Sequence, residues 1–227
     1  MAVVNLWEML LDFIFPPHCP LCHAYVEKRG HWCPQCLVKA LQPHHLPLSV
    51  PMQAVLAEAW ALGVYKGSLR DLIRHLKYQG KRSNLPYMKS LLSAAGEMSD
   101  MRDLLSGIDL AVPVPLYPQK EKQRGFNQAE LIFGTFLMEQ HIPMQRLLTR
   151  TRATRPMYEL SERERAANLK NAFAVIGAKA LQGKNVLLVD DIFTTGSTMM
   201  ECARVLKQAG ACSVTGLVMA SDHGQMK

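Results

Sequence analysis

The most constraining feature of the sequence is the run from Val186 to Thr198. Its four apolar residues, Val186 to Val189, predict a strand that is buried on both faces, as in a parallel sheet. Two adjacent carboxylates, Asp190 and Asp191, follow, and then comes a hydroxyl-rich loop with one glycine, made of Thr194, Thr195, Gly196, Ser197 and Thr198. Residues 199–208 predict a helix that stops at Gly210. The run therefore predicts a strand–loop–helix unit with polar groups at the strand end.

This loop has the chemistry of a phosphate site. A loop that leads into a helix offers unpaired backbone N–H groups and the positive end of the helix dipole, and the Thr and Ser hydroxyls add donors. The two carboxylates repel a phosphate, and they suit ribose hydroxyls or a Mg²⁺ ion. A phosphate and a sugar diol side by side describe a phosphorylated ribose, held where open α/β sheets bind ligands.

Two other interpretations of the run compete with this one. A Walker B strand also ends in acids, but the sequence lacks the Walker A pattern that such a strand needs. A core strand that ends in a capped helix needs only one capping side chain. The run instead resembles the signature of type I phosphoribosyltransferases, which is an apolar strand, Asp-Asp, and Thr-Thr-Gly-Ser-Thr.

Composition and charge narrow the class of protein further. The 227-residue chain is 48% hydrophobic and 20% charged, which is typical of a globular protein, and its net charge is +7. The excess of arginine lies in residues 146–170, which suits an anionic ligand such as pyrophosphate or nucleic acid, although a solvated arginine-rich surface is the alternative. No apolar run reaches the roughly 20 residues of a membrane helix. No positive region precedes the N-terminal apolar residues, so we expect a cytoplasmic protein without membrane insertion.

Four of the six cysteines form two Cys-x2-Cys pairs, Cys19 with Cys22 and Cys33 with Cys36. Each pair can place two thiolates on one tight turn, and two such turns complete a tetrahedron around Zn²⁺. Two disulfides are the alternative, but they need an oxidising compartment. Four protein ligands leave no open position, so the pattern predicts a structural zinc site.

The order of the predicted elements indicates an α/β fold. We expect residues 1–45 to form a helix and a four-cysteine zinc module, residues 46–58 a linker, and residues 59–227 a phosphoribosyltransferase-like domain. In that last part strands alternate with helices, which implies a parallel sheet with helices on both faces. The predicted strands are residues 60–65, 108–114, 146–149, 173–176, 186–189 and 214–219, and the predicted helices are residues 69–78, 86–98, 126–140 and 199–208.

Two further segments are candidates for the ligand site. Pro113 and Pro115 end a central strand, so a rigid loop that includes Val114 and Pro115 begins at the ligand edge of the sheet. In type I phosphoribosyltransferases the pyrophosphate loop occupies this place, and Arg124 follows it here. The long polar segment 150–165 suits a lid over a diphosphate, and it also fits a capped surface helix. Lys77, at a predicted helix end, either offsets the helix dipole or belongs to the site.

Together these segments resemble the ComF family of competence proteins, of which GntX is a relative. The resemblance runs nearly end to end, through the four cysteines, Leu76-Lys77-Tyr78-x-Gly80, Pro113-Val114-Pro115, Arg124 to Gln128, Glu164-Arg165-x-x-Asn168, Asp190-Asp191 and Thr194 to Thr198. Family members often carry Pro-Gln in the arginine-rich loop, whereas here Met157 follows Pro156. The resemblance implies a bacterial cytosolic protein that acts in the uptake of transforming DNA, together with a DNA translocase or helicase.

The sequence thus predicts a protein that binds phosphoribosyl pyrophosphate with Mg²⁺. Asp190 and Asp191 are the candidate catalytic residues, Thr194 to Thr198 the 5′-phosphate loop, and Val114, Pro115 and Arg124 the candidates for pyrophosphate contact. One class of function is a phosphoribosyltransferase that acts on a base, an amine or a DNA end. The other is a non-catalytic module that senses the ribose phosphate or grips single-stranded DNA, for which basic grooves with stacking aromatics are typical.

Overall fold

The computed structural model describes residues 12–152 and 168–223. Its centre is a five-stranded sheet in which four neighbouring strands are parallel and one edge strand is antiparallel. The chain order of strands is β1 His44–His45, β2 Glu58–Val64, β3 Leu110–Pro113, β4 Leu148–Arg150, β5 Phe173–Val175, β6 Asn185–Phe193 and β7 Ser213–Ser221. The sheet order is β1-β2-β7-β6-β3, and β4 and β5 form a separate antiparallel pair.

Eight α-helices connect these strands in the described part of the chain, with short 3₁₀ turns at Arg82–Asn84 and Ala178–Leu181. They are α1 Pro34–Ala40, α2 Val50–Gln53, α3 Gly67–Gln79, α4 Leu85–Gly96, α5 Ser99–Ser106, α6 Pro118–Arg124, α7 Gln128–Glu139 and α8 Ser197–Gln208. None of these helices is long and apolar enough to cross a membrane.

The sheet is buried on both faces, because residues of β6 alternate between two apolar clusters. Leu187 and Val189 pack in one cluster with α3, α4 and α7, whereas Val186 and Leu188 pack in the other with α8 and the β4–β5 pair. All four side chains are fully buried. This alternation follows from the period of two in a strand, and it explains why a run of four apolar residues was needed here.

The predicted α/β fold, a parallel sheet with helices on both faces, is confirmed in its architecture, and several of its predicted details differ. The strand predicted at residues 186–189 continues to Phe193, because β7 runs to Ser221 and supplies parallel partners as far as that residue. The sheet is not wholly parallel, since the two-residue β1 adds an antiparallel edge. Helices α5 and α6 occupy segments for which no helix was predicted.

The N-terminal cysteines form one compact cluster. The Sγ atoms of Cys19, Cys22, Cys33 and Cys36 all lie within 4.8 Å of one another, and no disulfide joins them. Zn–S bonds of about 2.3 Å in a tetrahedron place sulfurs roughly 3.8 Å apart. The cluster therefore fits a structural Zn²⁺ ion with four protein ligands.

The thiols of this cluster differ in acidity. Burial raises the pKa of Cys36 to about 12, with the neighbouring sulfurs adding to the rise. At Cys19 burial acts in the same direction, but backbone N–H groups of Cys22, Cys33 and Leu21 outweigh it and lower the pKa to about 6. A thiolate is thus available at neutral pH, which is the form that a metal ion needs.

The zinc module packs directly on the main domain. Trp32 Nε1 donates to the carbonyl oxygen of Tyr87 at 2.9 Å, and Ser90 Oγ donates to the carbonyl oxygen of Gly30 at 3.1 Å. Gly30 has φ +89°, and a Cβ there would lie 2.1 Å from Pro86 Cβ, so the module and the start of α4 touch backbone to side chain. Cys19 and Cys36 belong to the same apolar cluster as α3 and α4. The domain boundaries at residues 45 and 58 stay a prediction.

Cys33→Ser is expected to lower the zinc content from about one ion per chain and to destabilise the whole protein. Loss of a structural metal belongs to the mechanisms that cost more than about 4 kcal/mol, and here it also disturbs the core beneath the module. Metal analysis and thermal unfolding measure both effects. Cys212→Ser is the matched control, because Cys212 is exposed and lies outside the cluster. Purified protein that holds two disulfides and no zinc would contradict the zinc site.

Gly216→Ala is expected to destabilise the protein by about 1–3 kcal/mol, the usual cost of overpacking a core. A Cβ at Gly216 in β7 would lie 2.3 Å from Met199 Sδ and 3.0 Å from Ala59 Cβ, so the buried Met199 side chain of α8 has to shift within a packed core. Denaturant unfolding measures the change. Gly134→Ala in α7 is the control, since a Cβ there meets no atom within 4 Å and alanine favours a helix. Equal stability of the two variants would argue against this tight packing.

Candidate functional site

The hydroxyl-rich loop between β6 and α8 encloses a small hollow. The hollow is lined by Asp190 and by residues 192–199, which include every candidate phosphate-loop residue from Thr194 to Thr198. Thr195 Oγ1 and Ser197 Oγ lie 3.0 Å apart, and Ser197 is the first residue of α8. The loop therefore places hydroxyl groups beside the free N–H groups of a helix N-terminus, as predicted for an oxyanion site.

Glycine is required at position 196 for two reasons. Gly196 adopts φ +71°, a left-handed conformation that other residues rarely adopt. A Cβ would also lie 2.4 Å from Phe193 Cζ and 2.5 Å from Met52 Cε. The glycine thus lets the chain turn sharply into α8 while the loop stays packed on Phe193.

The C-terminal end of the described chain supports this loop. His223 Nε2 lies 2.7 Å from the carbonyl oxygen of Thr194, and the His223 ring packs edge-on against Phe193 at 5.9 Å between centroids. His44 Nε2 lies 2.7 Å from the carbonyl oxygen of His223. Two histidines therefore connect the edge strand β1 to the backbone of the phosphate loop.

The sequence predicted that Asp190 and Asp191 follow the strand, whereas both carboxylates lie within β6. The strand continues past them, with Asp190 opposite Val218 and Ile192 opposite Ala220 in the parallel pairing with β7. Asp190 is partly exposed and lines the hollow, whereas Asp191 is 2% exposed and lies on the side of α3. The backbone N–H of Asp191 donates to Asp190 Oδ1 at 2.8 Å.

Lys77, near the C-terminal end of α3, is the direct partner of Asp191. Its Nζ atom lies 3.1 Å from Oδ2 and 3.3 Å from Oδ1 of that carboxylate. The Lys77 side chain is 25% exposed and that of Asp191 is 3% exposed, so water screens the pair weakly. Lys77 therefore forms an ion pair with both carboxylate oxygens of Asp191.

The ionisable groups around this pair shift one another. Burial raises the pKa of Asp190 well above its ordinary value, and the charge of Asp191 adds to the rise. Burial alone lowers the pKa of Lys77, but the charges of Asp191 and Asp190 outweigh it and raise that pKa. Burial raises the pKa of the nearby Tyr65 and lowers that of Arg150. Asp190, Asp191 and Lys77 are therefore close enough to form one electrostatically linked group.

The candidate pyrophosphate loop begins where β3 ends. Val114 and Pro115 are buried, and the N–H of Val114 donates to the carbonyl oxygen of Val189 in the neighbouring β6 at 2.9 Å. Asn127 donates from Nδ2 to the Val114 carbonyl oxygen at 2.9 Å, while its Oδ1 accepts from the N–H of Ala129. One buried side chain thus caps α7 and fixes the loop next to the β6 end.

The arginines that are candidates for contact with pyrophosphate lie in different elements. Arg124 ends α6, and its guanidinium donates to Gln128 Oε1. Arg150 lies in β4 with its guanidinium 5.4 Å from the centre of the Phe173 ring, and it is close enough to Asp190 for the two charges to influence each other. Arg152 Nη2 donates to the carbonyl oxygens of Asn168 and Lys170, each at 2.9 Å. Residues 153–165 of the proposed lid lie outside the described residues.

Four residues near the site lacked a clear signal in the sequence. Lys77 had an equally good interpretation as a charge at a helix end, and His44 and His223 lie far from the loop in sequence. Asn127 carried the signal of a helix N-cap, but a cap alone says nothing about a second hydrogen bond to Val114. Each depends on a contact between segments that are distant in sequence.

Comparison with known proteins agrees with this two-part organisation. The sequence matches the family described as double zinc ribbon domain over residues 10–47 and that described as phosphoribosyl transferase domain over residues 153–226. Among solved structures, adenine phosphoribosyltransferase from Leishmania tarentolae is similar at a TM-score of 0.40, with 13% identity over 79% of this chain and 95% of that chain.

Several curated relatives match over most of their length. DNA utilization protein YhgH of Escherichia coli K12 is 34% identical over 86% of both chains. Competence protein F of Haemophilus influenzae is 29% identical over 90% of this chain and 85% of its own, and competence protein ComFC of Bacillus subtilis is 26% identical over 94% and 88%. With this identity over nearly the whole chain, and with a zinc ribbon joined to a phosphoribosyltransferase domain, the protein belongs to the ComF family.

Proposed function

We propose that the protein binds phosphoribosyl pyrophosphate in the hollow at the C-terminal end of β6. The observation that carries the proposal is the arrangement of Asp190 and the loop Thr194–Thr198 around one hollow at the N-terminus of α8. A phosphate monoester suits the loop, since helix N–H groups, hydroxyls and the dipole all favour an anion there. The acids beside the loop suit the ribose hydroxyls.

The remaining candidates fit the same ligand. A ribose 5-phosphate that lies along the loop directs its C1 substituent away from the 5′-phosphate, towards the edge where β3 ends at Val114 and Pro115. Arg124 and Arg150, on the elements that flank that loop, suit the pyrophosphate, and Mg²⁺ enters with it. We infer no protein ligand for Mg²⁺ from the described residues.

The same arrangement supports a phosphoribosyl transfer. The bond between ribose C1 and the pyrophosphate oxygen breaks, its electron pair leaves with pyrophosphate, and the acceptor forms the new bond to C1 and loses a proton. Positive charge that develops on the ribose ring is favoured by the carboxylate charge at Asp190 and Asp191, and cations favour the leaving pyrophosphate. No group in the described chain identifies the acceptor.

The names of the relatives support a role for this protein in the handling of DNA. Their names, DNA utilization protein and competence protein, support a role in the uptake of DNA. We propose that this role belongs to natural transformation and is carried out in the cytoplasm together with a DNA helicase or translocase, as the family resemblance implies. A non-catalytic module that grips single-stranded DNA is the second candidate. The net charge of +7 favours it.

Asp191→Ala is expected to weaken binding of phosphoribosyl pyrophosphate by about tenfold to a hundredfold. Hydrogen bonds to charged groups contribute about 1.5–3 kcal/mol each, and ~1.4 kcal/mol is a factor of ten. Thr195→Val is expected to weaken it at least about tenfold through the phosphate. Calorimetry with Mg²⁺ measures both, and Asp103→Ala, an exposed position in α5, is the control. If the wild-type protein binds neither phosphoribosyl pyrophosphate nor ribose 5-phosphate, the proposed site is wrong.

Turnover separates the enzyme from the binding module. A transferase is expected to release pyrophosphate from phosphoribosyl pyrophosphate in the presence of a base, an amine or a DNA end, and the Asp191→Ala variant is expected to lose this release. A coupled assay for pyrophosphate, run across the three acceptor classes, makes the measurement. Tight binding without release by any acceptor would leave the pocket in place and refute the transfer reaction.

A further inference from the structure

The imidazole of His223 holds the backbone at the start of the phosphate loop. Its Nε2 atom lies 2.7 Å from the carbonyl oxygen of Thr194, and since a carbonyl oxygen only accepts, the ring donates this hydrogen bond. Thr194 and Thr195 line the hollow, whereas His223 is not among the described residues that line it. The ring therefore acts on the loop through the backbone and not by contact with the contents of the hollow.

This hydrogen bond determines which backbone group the loop presents on its other side. The peptide bond between Thr194 and Thr195 is trans, so the N–H of Thr195 is directed opposite to the Thr194 carbonyl and away from the His223 ring. No hydrogen bond in the described part of the chain uses that N–H. It is thus free to donate to an anion, whereas a rotated peptide would present a carbonyl oxygen, which repels an anion, in its place.

His223 is itself held independently of the loop. Its backbone N–H donates to Oγ of Ser221, a fully buried residue of β7, at 3.0 Å. Its carbonyl oxygen lies 2.7 Å from Nε2 of His44 in β1, and Nδ1 of His44 lies 2.8 Å from the carbonyl oxygen of Gln42. The residue is therefore attached both to β7 and to the edge of the sheet, so its ring can fix the loop instead of following it.

Packing acts in the same direction as the hydrogen bond. The His223 ring makes its edge-on contact with Phe193, the last residue of β6. Phe193 in turn packs against the turn at Gly196, where its ring leaves no room for a Cβ. Two successive parts of the loop, the Thr194 peptide and the Gly196 turn, thus depend on one side chain.

We propose that His223 is a positioning residue for the 5′-phosphate. By holding the Thr194 carbonyl towards its own ring, it presents the N–H of Thr195 to the phosphate. The inference rests on the proposed function, because it assumes that the Thr194–Thr198 loop binds the phosphate of a ribose phosphate. His223 touches no ligand, and its loss weakens phosphate binding without the removal of any group that the ligand contacts.

Ribose 5-phosphate is the probe, because it carries the 5′-phosphate without pyrophosphate. His223→Leu removes the donor and keeps an apolar side chain against Phe193, and calorimetry on the full-length protein is expected to show about threefold to tenfold weaker binding. His223→Gln keeps an N–H donor at a similar reach and is expected to bind within about twofold of wild type. His141→Asn is the control, since it removes an exposed imidazole outside the lining of the hollow at φ +58°, which asparagine tolerates.

The amide of Thr195 gives a readout that a merely structural role would not move. In protein labelled with ¹⁵N at threonine, this amide is assigned by its absence from a Thr195→Ser variant. Its proton is expected to shift downfield when wild-type protein is saturated with ribose 5-phosphate, because it donates to a charged oxygen. In saturated His223→Leu protein the shift is expected to be smaller, since the peptide is no longer held.

The outcomes distinguish this inference from the proposed function. If His223→Leu binds as wild type does, or if His223→Gln loses as much affinity as His223→Leu, the role of His223 is refuted and the ribose-phosphate site stands. A Thr195 amide that does not shift in saturated wild-type protein also refutes it, and this measurement needs no variant to fold. If wild-type protein binds neither ribose 5-phosphate nor phosphoribosyl pyrophosphate, the proposed function falls and the role of His223 falls with it. Loss in His223→Leu, rescue in His223→Gln and a reduced Thr195 shift support the inference.

Discussion

The parallel pairing of β6 with β7 is the constraint on which the site depends. It continues past the apolar run as far as Phe193 opposite Ser221, so the acids and the start of the phosphate loop are held by backbone hydrogen bonds and not by a free loop. Because the sheet is covered on both faces, the register cannot slip by one residue without moving Leu187 and Val189 out of their core. The position of Asp190 and Asp191 is therefore fixed by the packing of residues that have no chemistry of their own.

The buried position of Asp191 lowers the stability of the fold, and its neighbours offset part of that cost. A carboxylate as buried as that of Asp191 is unfavourable without a partner, and Lys77 supplies one from α3. α3 itself is anchored by Leu69, Leu72, Ile73 and Leu76, all buried in the cluster that also receives the zinc module. The metal cluster is thus connected to the ligand site through a shared apolar core. Zinc stabilises the support of α3, and α3 holds the charge opposite Asp191.

Sequence reasoning reached the parts of this structure that are local. The strand–loop–helix unit, the hydroxyl-rich loop and the four-cysteine pattern each lie within a short segment, and backbone geometry alone brings their residues together. Contacts between distant segments could not be predicted, since Lys77 lies 114 residues from Asp191 in the chain, and His223 lies 29 residues from Thr194, with α8 and β7 between them. The end of β6 was placed too early for the same reason, because the strand continues only where β7 offers a partner.

The contact of Lys77 with the site could not be predicted, because its charge alone allowed two equally good interpretations. A lysine in the last turn of a helix is favoured by the helix dipole, and α3 ends with Gly80 in a left-handed cap as such helices do. All the features of an ordinary helix end were therefore present, and nothing in the sequence indicated that the Lys77 side chain also contacts Asp191. A residue that satisfies a local rule can also serve a distant site. In this chain the local rule places the ammonium group at the helix end, and the packing of α3 on the sheet brings that end to the acids of β6.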